Sequence, residues 1–291
     1  MTVNGEHAGR RLLLLHAHPD DESILTGGTI AHYLAAGVDV RVLTFTLGEE
    51  GEVIGERWAR LVAEQADQLG GLRVGELSAA LAALTPAGTA ELAPRFLGGA
   101  GRWRDSGMAG TASAQHRRAL AAADADELTE ALVAEIVDFD PQVIVTYDAD
   151  GGYGHPDHKR VHEISHRAIP AAARRLGHGC KVYEVITAAG PLTQGLAAIE
   201  HVPDGWRRPA EGELPSTPDA KIDAAVDVVE VLAAKVAALV AHATQVTVAP
   251  SHTEFALSNN IIQPICRVEH FSRIAPPRSG RRETDLFEGV E

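Results

Sequence analysis

Two short segments concentrate imidazoles and carboxylates: His-Ala-His-Pro-Asp-Asp-Glu-Ser at 16–23 and Gly-Gly-Tyr-Gly-His-Pro-Asp-His at 151–158. They pool His16, His18, Asp20, Asp21, Glu22, Tyr153, His155, Asp157 and His158. So many ionisable groups beside apolar runs need neutralising, and a divalent cation does that. Imidazole with carboxylate suits zinc or iron(II). A catalytic zinc site takes three protein ligands and leaves a position for water, whose pKa falls to ~7. His18 and Asp21 stand three residues apart, so at a helix start they can face the same way. His158 supplies a third ligand from the second segment. Asp20 then sits beside the cation as a base for the water proton. His155, three residues before His158, is placed to face substrate as an acid or an oxyanion donor. His16 falls on a strand and reads as a core histidine. Glu22 reads as a cap or a supporting group. His32, His116, His178, His201, His242 and His270 have no partner pattern and read as structural or exposed.

The elements that must position these residues follow from periodicity. Arg11–His16 is a strand-length apolar run, Ile30–Ala36 a helical pattern closed by Gly37, and Val38–Thr46 a second strand. That β-turn-α-β order is the unit of a parallel sheet. A helix is expected over Glu56–Leu69, ended by Gly70-Gly71, with a short helix at Ser78–Leu84. Gly98–His116 reads as a long functional loop. Further expectations are a helix at Asp126–Val137, a central strand at Val143–Tyr147 and a helix at Val161–Leu176 containing Pro170. A strand at Lys181–Thr187, a linker over Gly190–Asp219, one long helix over Asp219–His242 and irregular chain beyond complete the reading. Both charged segments follow strands, and ligands bind at strand C-termini in open α/β sheets. The expected architecture is α/β: a mostly parallel sheet flanked by helices over 1–176, followed by a smaller C-terminal region over 177–291.

The formal net charge of -14 argues against nucleic acid or an anionic membrane as partner. A small neutral substrate is compatible with it. Cys180 and Cys266 lack metal spacing and read as free thiols in a reducing cytoplasm. No apolar stretch nears the ~20 residues of a membrane span, and a soluble, cytoplasmic protein is expected. No dinucleotide or nucleoside-triphosphate loop is present.

The Ala-His-Pro-Asp-Asp-Glu block (17–22) with Gly-His-Pro-Asp-His (154–158) resembles the LmbE-like, or PIG-L-like, metal-dependent deacetylases. Blocks at 46–59, 98–111, 235–246 and 257–260 are similar to members that deacetylate N-acetylglucosaminyl-inositol in mycothiol biosynthesis. The resemblance implies a Rossmann-like, metal-binding catalytic domain over 1–176 and a smaller C-terminal α+β domain over 177–291 that completes the substrate site. It also implies hydrolysis of that acetamide to acetate and free amine, with one zinc (or iron(II)) per chain. It assigns His18, Asp21 and His158 as ligands, Asp20 as base, His155 as electrophilic or acid partner and Tyr153 as oxyanion-side donor. It places Arg73 and Asp105 against sugar and inositol hydroxyls and carries Met108 and Glu52 over as further substrate-binding residues. Amidases acting on mycothiol S-conjugates share the two histidine motifs. The Glu-Gly-Glu-Val-Ile-Gly-Glu-Arg-Trp-Ala and Arg-Trp-Arg-Asp-Ser-Gly-Met blocks favour the deacetylase. Residues 251–255 and the tail after Cys266 depart from the pattern.

Overall fold

The structure is a computed structural model describing residues 7, 9–276 and 280–290. Its elements run β1 (Arg11–His16), α1 (Asp21–Ala35), β2 (Asp39–Thr44), α2 (Leu69–Leu84), α3 (Ala125–Phe139), β3 (Val143–Tyr147) and the one-turn α4 (Gly151–Gly154). There follow α5 (Pro156–Leu176), β4 (Lys181–Ile186), α6 (Ala189–Ala198), β5 (Ala224–Asp227), α7 (Leu232–Ala241), β6 (Thr247–Val248), β7 (Glu254–Ala256), β8 (Gln263–Pro264) and β9 (Val268–Ala275).

The main sheet has the order β2-β1-β3-β4-β9-β5, and β6-β7-β8 form a small second sheet. Strands β2, β1, β3 and β4 are parallel, while β9 pairs antiparallel with both β4 and β5. Alternation along β1 shows why the sheet is covered on both sides. Leu12 and Leu14 pack with Ile30, Tyr33, Leu77 and Leu81 from α1 and α2. Leu13 and Leu15 pack with Leu128, Leu132, Val161 and Ile164 from α3 and α5. Each such buried side chain contributes roughly 1.5–3 kcal/mol. The stack fixes β1 beside β3, and hence their C-terminal ends side by side. Strands β4, β5 and β9, which come from beyond residue 176, complete this same six-stranded sheet.

Several sequence expectations are corrected. Residues 62–68 are turns, and the helix expected over 56–69 is instead α2, which begins at Leu69 and runs through both glycines. Gly70 is there for close packing: a Cβ would lie 2.8 Å from Glu49 Cγ and 3.0 Å from Leu47 Cβ. The single helix expected over 219–242 is a strand, β5, followed by α7. Its Ala/Val composition suits either element, and pairing with β9 decides for strand at 224–227. Strand β9 lies in the stretch read as irregular, and α6 lies in the stretch read as linker. Helix α1 begins at Asp21 and α5 at Pro156, so each charged motif is itself a helix start. Pro170 lies inside α5. Both cysteines are free thiols, as expected.

Candidate active site

The two motifs are built alike. Each follows a strand, places a proline near the helix start and puts acids or ligands in the first turn. In the second, His155 is the N-cap of α5: its Nδ1 accepts from the Asp157 backbone N–H at 3.1 Å, with Pro156 next in line. Gly151, at φ +62°, packs beneath His158, where a Cβ would stand 2.7 Å from the His158 Cβ. In the first motif, Asp20 has φ 131° and ψ -33°, which an L-residue rarely adopts. Its N–H donates to Glu22 Oε2 at 3.0 Å, and its carbonyl accepts from Ser23 and Ile24. Strain of this kind costs on the order of 1–3 kcal/mol and persists only where surrounding contacts enforce it.

Because β1 and β3 are neighbours, the motifs meet. His158 Nε2 lies 3.3 Å from His18 Nδ1 and 3.3 Å from Asp21 Oδ2, and His18 Nδ1 is 3.5 Å from the same oxygen. Donors bound at about 2.1 Å to a tetrahedral ion are about 3.4 Å apart, so these three atoms match one face of a zinc-like coordination shell. The opposite edge of the His18 ring supports the same reading. Its Nε2 donates to Asp157 Oδ2 at 3.2 Å and lies 3.5 Å from Asp105 Oδ1, which leaves Nδ1 as the lone-pair nitrogen. Asp157 Oδ2 is itself held by the Ser106 N–H at 2.9 Å. The Tyr147 hydroxyl donates to Asp21 Oδ2 at 2.8 Å and accepts from the Ala17 N–H at 2.9 Å. Its ring stacks on His158 with centroids 4.3 Å apart.

The electrostatics separate the roles. Burial opposes charge on His18, but Asp105, Asp157 and Asp21 outweigh it and raise its pKa well above the usual imidazole value. Asp21 is held well below the ordinary carboxylate range, because His158 and His18 outweigh its burial. Asp20 goes the other way. Burial, and then the charge of Asp21, push it up to about 7 against the pull of His242, Arg73 and His18. His155 is pushed down to about 3 by burial and by its neighbours His18 and His158, so it is neutral at working pH. With Nδ1 accepting from Asp157, the proton of neutral His155 sits on Nε2 as a donor.

The remaining expected residues are placed as follows. Arg73 is buried, with Nη1 donating to the Gly48 carbonyl at 2.5 Å and Nη2 to the Glu52 carbonyl at 3.0 Å. Its Nε is buried with no hydrogen-bond partner. Gly51 is required beside it, since a Cβ there would stand 2.2 Å from Nη1. Asp105 is buried against His18 and accepts from the Gly107 N–H at 2.8 Å. Tyr153 is exposed, its ring edge-on to His158 at 5.0 Å and to His155 at 5.8 Å. Met108 and Glu52 are exposed, and Glu52 connects to the site through its carbonyl, which accepts from Arg73. His16 is a core histidine, 2.9 Å from Thr26 Oγ1. Tyr147 and His242 were missed by sequence reasoning, and Asp157 was pooled without a role. Tyr147 ends a strand beside the site, a position that flags it; His242 carries no such signal. It is fully buried, with Nε2 2.7 Å from Glu22 Oε1.

Three donor atoms spaced as a cation would need them, with Asp20 outside that set, lie at the strand ends of a Rossmann-like sheet, an arrangement that suits a hydrolase. The family profile described as PIG-L, GlcNAc-PI de-N-acetylase, matches residues 13–169, and the chain belongs to that family. It is 62% identical to a 1D-myo-inositol 2-acetamido-2-deoxy-α-D-glucopyranoside deacetylase of Gordonia bronchialis, over 96% of this chain and 100% of that one. It is 57% identical to the protein of the same name from Rhodococcus jostii, over 97% and 98%. Among solved structures, the N,N'-diacetylchitobiose deacetylase of Pyrococcus horikoshii shares the fold, with a TM-score of 0.51 and 16% identity, over 80% of this chain and 70% of that one. So does the 4-carboxy-2-hydroxymuconate hydratase GalB of Pseudomonas putida, with a TM-score of 0.55 and 18% identity, over 94% and 99%. The fold thus hosts more than one reaction, and the side chains must distinguish them. No described helix is long and apolar enough to cross a membrane.

Proposed function

We propose that the chain hydrolyses the acetamide of 1D-myo-inositol 2-acetamido-2-deoxy-α-D-glucopyranoside to acetate and the free amine, a step of mycothiol biosynthesis. The observation that carries this is the juxtaposition of the His18–Asp21–His158 triad with Asp20, a carboxyl left free of the triad and raised to about 7. Likeness to deacetylases across nearly the full chain selects the substrate. His18 Nδ1, Asp21 Oδ2 and His158 Nε2 would hold the ion, with zinc or iron(II) fitting the donor set. When bound, the ion supplies Lewis acidity toward the carbonyl and acidifies water.

The chain's own groups do the rest. Asp20 accepts the proton of the attacking water, for which its raised pKa suits it near neutrality. Neutral His155 donates from Nε2 to the developing oxyanion, and Tyr153 donates from the opening of the site. One such donor is worth roughly 2.7–4 kcal/mol in other enzymes. Asp20, now protonated, returns its proton to the sugar nitrogen as the C–N bond breaks. Arg73 steadies the 48–52 loop through the Gly48 and Glu52 carbonyls. Asp105 faces His18 and completes the polar wall. The test is amine release from this acetamide, run beside a mycothiol S-conjugate. Faster turnover of the conjugate would overturn the substrate assignment.

A further inference from the structure

Residues 162–166 read His-Glu-Ile-Ser-His, and all five lie on α5. Histidines four apart share one helix face, the spacing with which the His-Glu-x-x-His pattern grips zinc. Here the rings of His162 and His166 stand 4.1 Å apart. Glu184, from the adjacent strand β4, reaches between them: its Oε1 is 3.5 Å from His162 Nδ1 and 3.6 Å from His166 Nε2. One ligand atom of each residue lies within 4.8 Å of the other two. We propose that His162, His166 and Glu184 form a second site for a divalent transition-metal ion of the zinc class, separate from the triad at the strand ends.

Four features support it. His162 Nδ1 is 3.0 Å from the Tyr147 carbonyl, which can only accept, so in the neutral ring the lone pair that would meet the ion is on Nε2, and the 3.5 Å approach of Glu184 Oε1 is to the protonated edge of that ring. A backbone carbonyl fixing the tautomer of a ligand histidine is the usual outer support of such sites. Burial and the neighbouring His162 keep His166 less readily protonated than an ordinary imidazole, which favours its metal-binding form. Two imidazoles and one carboxylate also make a ligand set known from zinc proteins. His166 is the more exposed of the histidines, with a side-chain exposure of 43% against 19% for His162, so it is free to close on an ion.

The site binds but does not catalyse. In peptidases with this pattern the central glutamate activates water. Glu163 instead accepts a 2.7 Å hydrogen bond from Arg160, one turn back on the same helix. The two sites nevertheless share a residue. The Tyr147 carbonyl holds His162 while its hydroxyl holds Asp21.

The experiment is zinc binding by calorimetry on the full chain, with cobalt(II) absorption as a second readout. Wild type is expected to take up a second equivalent with micromolar affinity. His166→Ala and Glu184→Gln should each abolish that event or weaken it about tenfold or more, sparing the tighter one. His158→Ala should do the reverse, so failure of the second site is distinguishable from failure of the first. Circular dichroism checks that each variant folds. A single equivalent in wild type, or a second event that survives both His166→Ala and Glu184→Gln, would overturn the proposal.

Discussion

Tyr147→Phe isolates one hydroxyl at the centre of the site. That oxygen donates to Asp21 Oδ2 at 2.8 Å and accepts from the Ala17 N–H at 2.9 Å. Phenylalanine keeps the ring stacked on His158, so packing is preserved while both hydrogen bonds go. Two costs follow. The Ala17 N–H is left buried without a partner, which costs about 1–3 kcal/mol of stability. For a chain of this size that is a melting temperature lower by roughly a few degrees. The carboxylate of Asp21 loses one of the two donors that orient it, the other being the His18 backbone N–H at 2.9 Å, and loss of such an outer partner weakens a metal site by about 10–100-fold. Chelator competition against zinc-loaded protein measures the second effect, and thermal melting of the metal-free protein measures the first. Zinc affinity within twofold of wild type would refute the argument that Tyr147 orients the ligand.

Other expectations concern the base, a ligand and its support. Asp20→Asn should lower kcat by about 10²–10⁴ while metal content stays the same, as mass spectrometry or a chromogenic chelator would show. Lost metal in that variant would make Asp20 a ligand instead of the base. A base works only when ionised, and Asp20 is raised to about 7 before any cation is counted. A bound cation lowers that value, so kcat/KM should fall as pH drops through a value at or below about 7; a rise toward low pH would contradict this. Gly151→Ala forces a Cβ to within 2.7 Å of the His158 Cβ at a φ of +62°, so weaker metal binding is expected at constant fold. His242→Leu leaves Glu22 buried without its partner and should destabilise by about 3–5 kcal/mol in denaturant melts. His242→Gln, which can still donate, should recover part of that.

The three side chains proposed as ligands could be picked out because their pattern is local: a histidine and an aspartate three apart at a helix start, and a second histidine after another strand; the structure sets them within 3.5 Å of one another. The β-turn-α-β order gave the parallel pairing of β1 with β2, whereas the pairing of β1 with β3, which brings the two motifs together, is a contact across the chain. What sequence could not show depends on contacts across the chain. Asp157 looks like any helix-start acid until His18, 139 residues away, is set 3.2 Å from it. His242 carries no pattern of its own, yet it closes on Glu22 from the residue that caps the end of α7. Local composition misled where packing overrides it. Gly70 resembles a helix terminator but lies inside α2 because Glu49 and Leu47 press against it. Residues 224–227 read as helix until β9, some forty residues later in the chain, offers its edge. Arg73 gave no local signal either, since its role depends on the carbonyls of Gly48 and Glu52.

The central claim concerns which atoms grip the ion, and His18 is the residue on which it turns. Its Nδ1 faces Asp21 and His158, while its Nε2 faces Asp157 and Asp105. An anomalous difference map from crystals grown with zinc tells the two edges of that ring apart. The account expects a peak at about 2.0–2.2 Å from His18 Nδ1, Asp21 Oδ2 and His158 Nε2. A peak on the Nε2 side, shared with Asp157 and Asp105, or none at this ring at all, would contradict it.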